Sequence, residues 1–253
     1  MNIFIKTLLG ETHPLNLLFY LLLCAGPTLL WFFFCLRFDR RQPEPKREIF
    51  KFFSLGAIIT IPLIFIAGPI TNWIEQNLFL NSILIIFILS FLVDGLFEEL
   101  AKYVLLNWRL YRCRYFDEIK DGFVYGMSLS LGLAFTENIL YALFSKDLAN
   151  GTMILLFRGF TTTFMHYLSG GIIGYHLAMA KFYKSNRMTQ RMFKFRGLIL
   201  AILLHGLYNS IIRFNFMWGF IPLAIILWII YFIIVYEMKA TTNNLLGPTK
   251  PLE

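Results

Sequence analysis

The chain has 253 residues, of which 58% are hydrophobic, 18% aromatic and only 15% charged, and its net charge is +8. Soluble globular domains are about half apolar and a quarter charged, so this composition excludes an ordinary soluble protein and leaves no room for a separate soluble domain. The basic residues cluster in short gaps between apolar runs, which is a topology signal and not a nucleic-acid-binding surface. We therefore predict one integral-membrane domain over residues 1–253, in contact with the lipid bilayer and with no nucleic-acid partner.

Seven apolar runs are long enough, or nearly so, to cross a hydrocarbon core, which needs roughly 20 helical residues. In chain order they cover residues 15–36, 52–70, 79–106, 121–144, 153–180, 196–213 and 216–237. Pro62 and Pro69 are expected to kink or end the second run, because proline removes a backbone donor and clashes with the preceding turn. The predicted fold is all-α, a polytopic transmembrane helix bundle of about seven spans.

The distribution of Lys and Arg residues predicts the orientation of these spans. Eighteen of the 23 basic residues lie in the first, third and fifth gaps or in the carboxyl tail, whereas the opposite side holds only Lys6, Lys146 and Arg213. Basic residues are enriched in cytoplasmic loops of membrane proteins. We expect a multi-pass protein of the cell membrane whose amino terminus is outside and whose carboxyl tail is cytoplasmic.

Four polar clusters interrupt the apolar runs. Ionisable groups inside a bilayer are costly and by default mark a functional site in the interior of a bundle. The first cluster places Lys102 one helical turn after two adjacent acids, so its ammonium can reach either carboxylate. The clusters are Glu98, Glu99 and Lys102 in the third run, Glu137 and Asn138 in the fourth, His166 in the fifth, and His205 and Asn209 in the sixth.

Depth along each run indicates which clusters can meet. A helix rises about 1.5 Å per residue, and this counting brings Glu99, His166 and His205 into a shared layer in the inner half of the membrane. The same counting leaves Glu137 too close to the outer face. Either the fourth run begins well below the membrane plane, or Glu137 lines a deeper, water-filled cavity.

Small residues recur at a spacing of four in two of the runs. Gly122 and Gly126 in the fourth run, and Gly170 and Gly174 in the fifth, form small-xxx-small pairs. Such pairs allow helix backbones to approach closely in membranes. We therefore expect close packing between helices near the polar clusters.

Several motifs, in order along the chain, resemble the PrsW-type intramembrane proteases, part of the wider group of glutamate-dependent endopeptidases that includes the CAAX-processing and bacteriocin-protection enzymes. The resemblance covers almost the whole chain. The motifs are RFDRRQPEPKREIFKFFSLG at residues 37–56, FEELAKY at 97–103, YFDEIKDGFVYGMSLSLGLAFTENILYAL at 115–143, RGFTTTFMH at 158–166 and LLHGLYN at 203–209.

The resemblance implies an endopeptidase that hydrolyses a peptide bond in a membrane-anchored protein, with a regulatory substrate such as an anti-sigma factor. Glu98 and Glu99 would activate a water with help from His166, and Glu137, His205 and Asn209 would complete the polar site. This chemistry is reasonable because two adjacent buried carboxylates can share a proton and so supply both a base and an acid. Which of the two acids is the base stays open, since adjacent helical positions point about 100° apart.

Four polar residues have no fixed assignment at this point. The last motif ends in Asn209, where relatives can have Asp, so an acidic group is not required there. Asp94 lies one turn before Glu98 and either tunes the acid pair or is satisfied by a neighbouring helix. Arg158 either pairs with a carboxylate such as Asp147 or holds a substrate backbone, and Asn138 can instead form a structural hydrogen bond with its neighbours.

Two other functions remain open. The same groups could form the relay of a proton-coupled carrier or channel, although the internal repeats expected of a carrier are not seen. A non-catalytic relative could act as a membrane scaffold. We predict no cofactor and no metal ligands, since the sequence has no HExxH motif and the charge of Lys102 opposes a dication. Zinc is not excluded, because glutamate and histidine are acceptable ligands.

Overall fold

The computed structural model describes residues 14–38, 43–78, 81–183, 186–214 and 220–246. All regular secondary structure in these segments is helical, which confirms the predicted all-α fold. The helices are α1 Pro14–Phe38, α2 Lys46–Asn77, α3 Ser82–Phe87, a π helix Ile88–Gly95, α4 Leu96–Leu110, α5 Ile119–Leu143, α6 Leu148–Phe160, α7 Thr162–Phe182, α8 Arg187–Arg213 and α9 Phe220–Leu246.

Four of the described helices, α1, α2, α5 and α8, are long and apolar enough to cross a membrane. The third predicted run corresponds to α3, the π helix and α4, and the last run corresponds to α9, which contains a shorter apolar stretch, Ala224–Glu237. The predicted runs that begin at residues 79 and 216 extend outside the described residues. So do five basic residues on which the predicted orientation depends, namely Lys6, Arg40, Arg41, Lys184 and Lys250.

The second predicted run is longer than expected. Pro62 and Pro69 both lie inside α2, which continues without interruption from Lys46 to Asn77. The prediction that the second span ends near residue 70 was therefore wrong. Neighbouring helices in a membrane protein can support a helix through proline, and α2 packs along the length of α5.

The fifth predicted run was also wrong in one respect, because it is not one helix. The chain turns at Thr161, which separates α6 from α7. The Tyr208 hydroxyl of α8 holds this junction, since it lies 2.8 Å from the Thr161 hydroxyl and 2.6 Å from the Thr162 hydroxyl. The break brings His166 close to the beginning of α7, within the first turns of the helix and not at its middle.

The helix α5 occupies the centre of the bundle and packs against α7, α2 and α1. Glycines permit its closest approaches: a Cβ atom added at Gly122 would meet the carbonyl oxygen of Gly174, and one added at Gly126 would meet that of Gly170. The close helix packing expected at these small-xxx-small pairs is therefore confirmed, and the structure shows that the two pairs contact each other. A second such contact, which the sequence reading missed, joins Gly132 of α5 to the backbone of α2 at Phe53.

The π helix directly precedes the acid pair. Its eight residues, Ile88–Gly95, lie between α3 and α4 without a break in the helical chain. A π turn contains an extra residue, which changes the face that the following residues present, and π bulges are frequent at functional sites. The π helix packs against α8 at Gly206, where an added Cβ would meet the ring of Phe91. This close contact fixes α4 against α8.

Candidate active site

Glu99 lies at the centre of a buried hydrogen-bond network. Its side chain and that of Lys102 are fully buried on α4, and their charged atoms lie 2.7 Å apart. The Oε1 atom of Glu99 also lies 2.7 Å from Nδ1 of His205 on α8 and 3.2 Å from the hydroxyl of Ser169 on α7. Of the two acids that Lys102 could reach, it therefore pairs with Glu99, three residues before it.

Lys102 connects this network to His166. The Nζ atom of Lys102 lies 2.9 Å from Nδ1 of His166 and 3.0 Å from the hydroxyl of Ser169. An ammonium group donates hydrogen bonds and accepts none, so Nδ1 of His166 must be the acceptor. The remaining proton of the neutral ring is then on Nε2, which donates to Oε2 of Glu137 at 3.0 Å.

Glu137 and Asn138 of α5 are held by Arg158, the residue two positions before the end of α6. The guanidinium lies 2.9 Å from Oε2 of Glu137, and its Nε donates to Oδ1 of Asn138 at 2.8 Å. The same guanidinium lies over the ring of Tyr141, 4.0 Å from the ring centroid. The suggested pairing of Arg158 with Asp147 was wrong, because Asp147 instead caps the beginning of α6.

Glu98 differs from the other two glutamates of the site. It makes no hydrogen bond to another side chain among the described residues and lines a cavity, whereas Glu99 does not line it. The Oε2 atoms of Glu98 and Glu99 are both buried without a hydrogen-bond partner there. Nδ1 of His166 lies 4.0 Å away, beyond hydrogen-bond distance. A carboxylate oxygen of Glu98 and one ring nitrogen each of His166 and His205 all lie within 4.8 Å of one another. Oxygen and nitrogen atoms at this separation can share a bridging water.

A cavity of about 330 Å³ opens onto Glu98 and Glu137. One wall is formed by α2 at Thr60, Leu63, Ala67 and Gly68, and the opposite wall is formed by α5. Most of its exposed lining is apolar, so the cavity suits a hydrophobic segment of chain that meets carboxylates at its inner end. Glu137 lines this cavity, and the choice between the two explanations that the sequence offered for its depth stays open.

Asn209 and Asp94 form a separate group at the rim of this cavity. The amide of Asn209 donates to Oδ2 of Asp94 at 3.0 Å, and the guanidinium of Arg213 donates to the same oxygen at 2.8 Å. Asp94 is therefore satisfied by a neighbouring helix, which was one of the two possibilities. Asn209 lies one turn from His205 as predicted, but it does not bond to the Glu99 network.

The structure thus brings five of the predicted residues, Glu98, Glu99, Glu137, His166 and His205, into one site. The sequence reading missed Ser169, Tyr141 and Arg213. Ser169 lies one turn after His166, so helical spacing could have placed it on the same face. Thr163, which accepts a hydrogen bond from Asn138, carried no such signal. His176 bonds to the carbonyl of Ile172 in its own helix, apart from this site.

The fold and the site together define a multi-pass membrane protein with a buried acid, base and cation network. The model of the family described as PrsW family intramembrane metalloprotease matches residues 44–236. The chain therefore belongs to the PrsW family of intramembrane proteases.

Curated relatives agree with this assignment. The chain is 30% identical over 218 residues to Protease PrsW of Clostridioides difficile (strain 630), covering 86% of this chain and 87% of the relative. It is 34% identical over 206 residues to Protease PrsW of Oceanobacillus iheyensis, covering 79% and 86%. Protease PrsW of Bacillus subtilis (strain 168) is 30% identical over 226 residues, covering 88% and 95%. No solved structure matches the chain.

The family description names a metalloprotease, and the site can be tested against that. Glu98, His166 and His205 are a donor set that catalytic zinc accepts, and each histidine is backed by a carboxylate, as ligating histidines commonly are. However, Lys102 donates into the Nδ1 lone pair of His166, and the tautomer set by Glu137 leaves that ring no other lone pair. In this arrangement the residues do not fit a metal ion.

Proposed function

We propose that the chain is a membrane-embedded endopeptidase in which Glu98 activates the water that attacks a peptide bond of a membrane-anchored protein. The observation that carries the proposal is the difference between the two adjacent acids. The Oε1 atom of Glu99 accepts hydrogen bonds from a lysine and a histidine, and Glu99 does not line the cavity. Both acids have a buried Oε2 atom without a hydrogen-bond partner among the described residues, but only Glu98 lines the cavity. A base must have a free oxygen within reach of the water that it deprotonates.

In this mechanism the water lies between Glu98 and His205, beside the ring of His166. His205 donates its Nδ1 proton to Glu99, so its Nε2 can accept a hydrogen bond from the water. Glu98 takes the other water proton as the oxygen attacks the carbonyl carbon. Glu98 then returns that proton to the leaving nitrogen, which gives a new carboxyl terminus and a new amine.

The charge balance of the site supports this sequence of steps. When the water attacks, negative charge moves from Glu98 to the carbonyl oxygen, so the net charge of the site is unchanged. Two cations are already in place, the fully buried Lys102 paired with Glu99 and the largely buried Arg158 paired with Glu137. Fixed charges in a water-poor site stabilise a developing oxyanion without reorganising. Glu99, Glu137, Asn138 and Asn209 are then positioning residues.

The substrate side of the proposal rests on the cavity between α2 and α5. Its apolar lining and its inner carboxylates fit a hydrophobic segment of a membrane-anchored protein, unwound so that its backbone reaches Glu98. We extend the proposal to a regulatory substrate of the anti-sigma-factor type, as the family resemblance implies. The whole chain is proposed to act as one domain, with its amino terminus outside and its carboxyl tail cytoplasmic. The grouping of Arg47, Arg109 and Arg112 at one end of the bundle supports that orientation.

The experiment that tests this function compares membrane proteomes. Cells express either the wild-type chain or the variant Glu98→Gln, matched for expression, and shed membrane-protein fragments are quantified. Fragments that disappear in the variant would support proteolysis and identify the substrate. Identical proteomes, with the wild type folded and expressed, would contradict the proposal, and ion flux in reconstituted vesicles would then test the carrier alternative.

A further inference from the structure

We propose that the ammonium of Lys102 takes the place of a metal cation in this site, so that the protein supplies from its own sequence the positive charge that a divalent ion supplies in a metalloprotease. The inference deepens the proposed function, on which it rests, because it concerns the cation of the same site. It also disagrees with the family description, which names a metalloprotease.

The donor atoms of a metal site are present. A carboxylate oxygen of Glu98 and one ring nitrogen each of His166 and His205 lie within 4.8 Å of one another. Two histidines and one glutamate form the usual ligand set of catalytic zinc, which keeps a fourth position open for water. Glu137 behind His166 and Glu99 behind His205 match the outer carboxylates that orient ligating histidines.

Lys102 bonds to one member of this donor set, His166, and to two residues outside it. Its three N–H groups are directed to Oε1 of Glu99 at 2.7 Å, Nδ1 of His166 at 2.9 Å and the Ser169 hydroxyl at 3.0 Å. Each of these contacts consumes a lone pair, and the one on His166 is the lone pair that a metal would require. The ammonium is fully buried, and all three of its N–H groups are hydrogen-bonded. If a metal ion displaced it, the ammonium would lose these bonds without gaining contact with water.

Electrostatics oppose simultaneous occupancy. A divalent ion bound to His166 would lie within a few ångströms of the Lys102 ammonium, in a site largely closed to solvent, and like charges at such distances repel strongly. Either the metal or the ammonium can balance Glu98 and Glu99, but not both. Removal of the ammonium should free the lone pair of His166 and leave the acid pair uncompensated, and these are the conditions that favour a divalent ion.

The test measures metal content without any substrate, so its result is independent of whether the chain cleaves a protein. Wild type, Lys102→Met and Lys102→Arg are purified in detergent, incubated with Zn²⁺ and desalted, and zinc per chain is determined by mass spectrometry. The side chain of Met is close in length to that of Lys and has no charge, whereas Arg keeps the charge. Cobalt(II) replaces zinc in a parallel sample, since its visible absorption reports histidine ligation.

We expect wild type and Lys102→Arg to retain no stoichiometric zinc and Lys102→Met to retain at least tenfold more, approaching one ion per chain. The added variant Lys102→Met, His205→Ala should lose that ion. Lys102→Gln replaces Lys102→Met if the latter does not fold, as judged by gel filtration. Wild type that binds one zinc, lost in His205→Ala, would overturn the inference. Folded Lys102→Met and Lys102→Gln that both stay free of metal would overturn it as well.

Discussion

The Nε2 atom of His166 lies 3.0 Å from Oε2 of Glu137, although 29 positions and a helix junction separate the two residues. Counting residues along the predicted runs placed Glu137 nearer the outer face than His166. The contact exists because the chain turns at Thr161, so that α7 begins only a few residues before His166. One local break therefore completes the site.

We predict that the buried pair of Glu99 and Lys102 is important for stability. Replacement Glu99→Gln leaves a buried ammonium without its carboxylate, and breaking such a pair costs about 3–5 kcal/mol. Thermal unfolding in detergent should therefore show a large decrease in Tm. The double variant Glu99→Gln, Lys102→Met should recover part of it, because neither charge is left alone.

A matched control uses the partly exposed ion pair of Lys120 and Glu118, whose charged atoms lie 3.4 Å apart near the start of α5. Lys120→Met should cost no more than about 1 kcal/mol, as is usual for solvent-screened pairs. An equal decrease in Tm for Glu99→Gln and Lys120→Met would show that the buried pair makes no special contribution.

The cavity between α2 and α5 should admit the substrate, and Gly68 provides a means to close it. A Cβ atom added at Gly68 meets no neighbouring atom, so Gly68→Leu can fill cavity space without a clash. We expect cleavage of a membrane-anchored substrate to fall at least tenfold with an unchanged Tm.

Gly26 of α1 offers the same free space away from the cavity, so Gly26→Leu is the control and should cleave at the wild-type rate. Full activity in Gly68→Leu would argue that the substrate approaches Glu98 by another route. Equal losses in the two variants would point to a general effect of a larger side chain on the membrane surface.

The close contact of α5 and α7 should tolerate no side chain at Gly126. Gly126→Ala places a methyl group against the carbonyl of Gly170, and overpacking of this kind typically costs about 1–3 kcal/mol. Gly26→Ala should instead be neutral or slightly stabilising, because alanine is the better helix former. The difference in Tm between the two variants measures the contact, and its absence would contradict the described helix packing.

Arg158 should act on catalysis through Glu137 and His166. Arg158→Met removes the guanidinium that holds Glu137, so His166 loses its fixed orientation and kcat should fall with little change in KM. Arg158→Lys should restore part of kcat, since it keeps the charge but cannot both reach Glu137 and donate to Asn138. If kcat of Arg158→Lys is no higher than that of Arg158→Met, the positive charge of Arg158 does not contribute to catalysis, which contradicts this prediction.

Much of this site could be predicted from the sequence because charge inside an apolar run is rare and informative. The acid pair, both histidines and Lys102 were all found in this way, and the pairing range of Lys102 followed from helical spacing. The choice between Glu98 and Glu99 could not be made, since it depends on which face α4 presents after the π helix. Helix breaks and π turns are set by packing against neighbours such as Tyr208 and Gly206, which no local pattern encodes.

Pairings between polar residues on different helices could not be predicted from the sequence either. For Arg158 the sequence left open a carboxylate such as Asp147 or a substrate backbone, and its partner is a carboxylate, that of Glu137 on the preceding helix. Asn209 was grouped with His205 because one turn separates them, yet its amide bonds to Asp94 in the π helix. In both cases the bundle geometry, not sequence distance, determines which groups meet.

The most direct test of the central claim is the cleavage rate of Glu98→Gln in reconstituted vesicles. The substrate is a membrane protein whose shed fragments are identified in the proteome comparison. The control is Glu75→Gln, which changes an exposed acid of α2. We predict that Glu98→Gln lowers kcat by about 10²–10⁴-fold, as expected for loss of a general base, with an unchanged Tm. Glu75→Gln should cleave at the wild-type rate. A folded Glu98→Gln variant that cleaves as fast as wild type would contradict the assignment of Glu98 as the base.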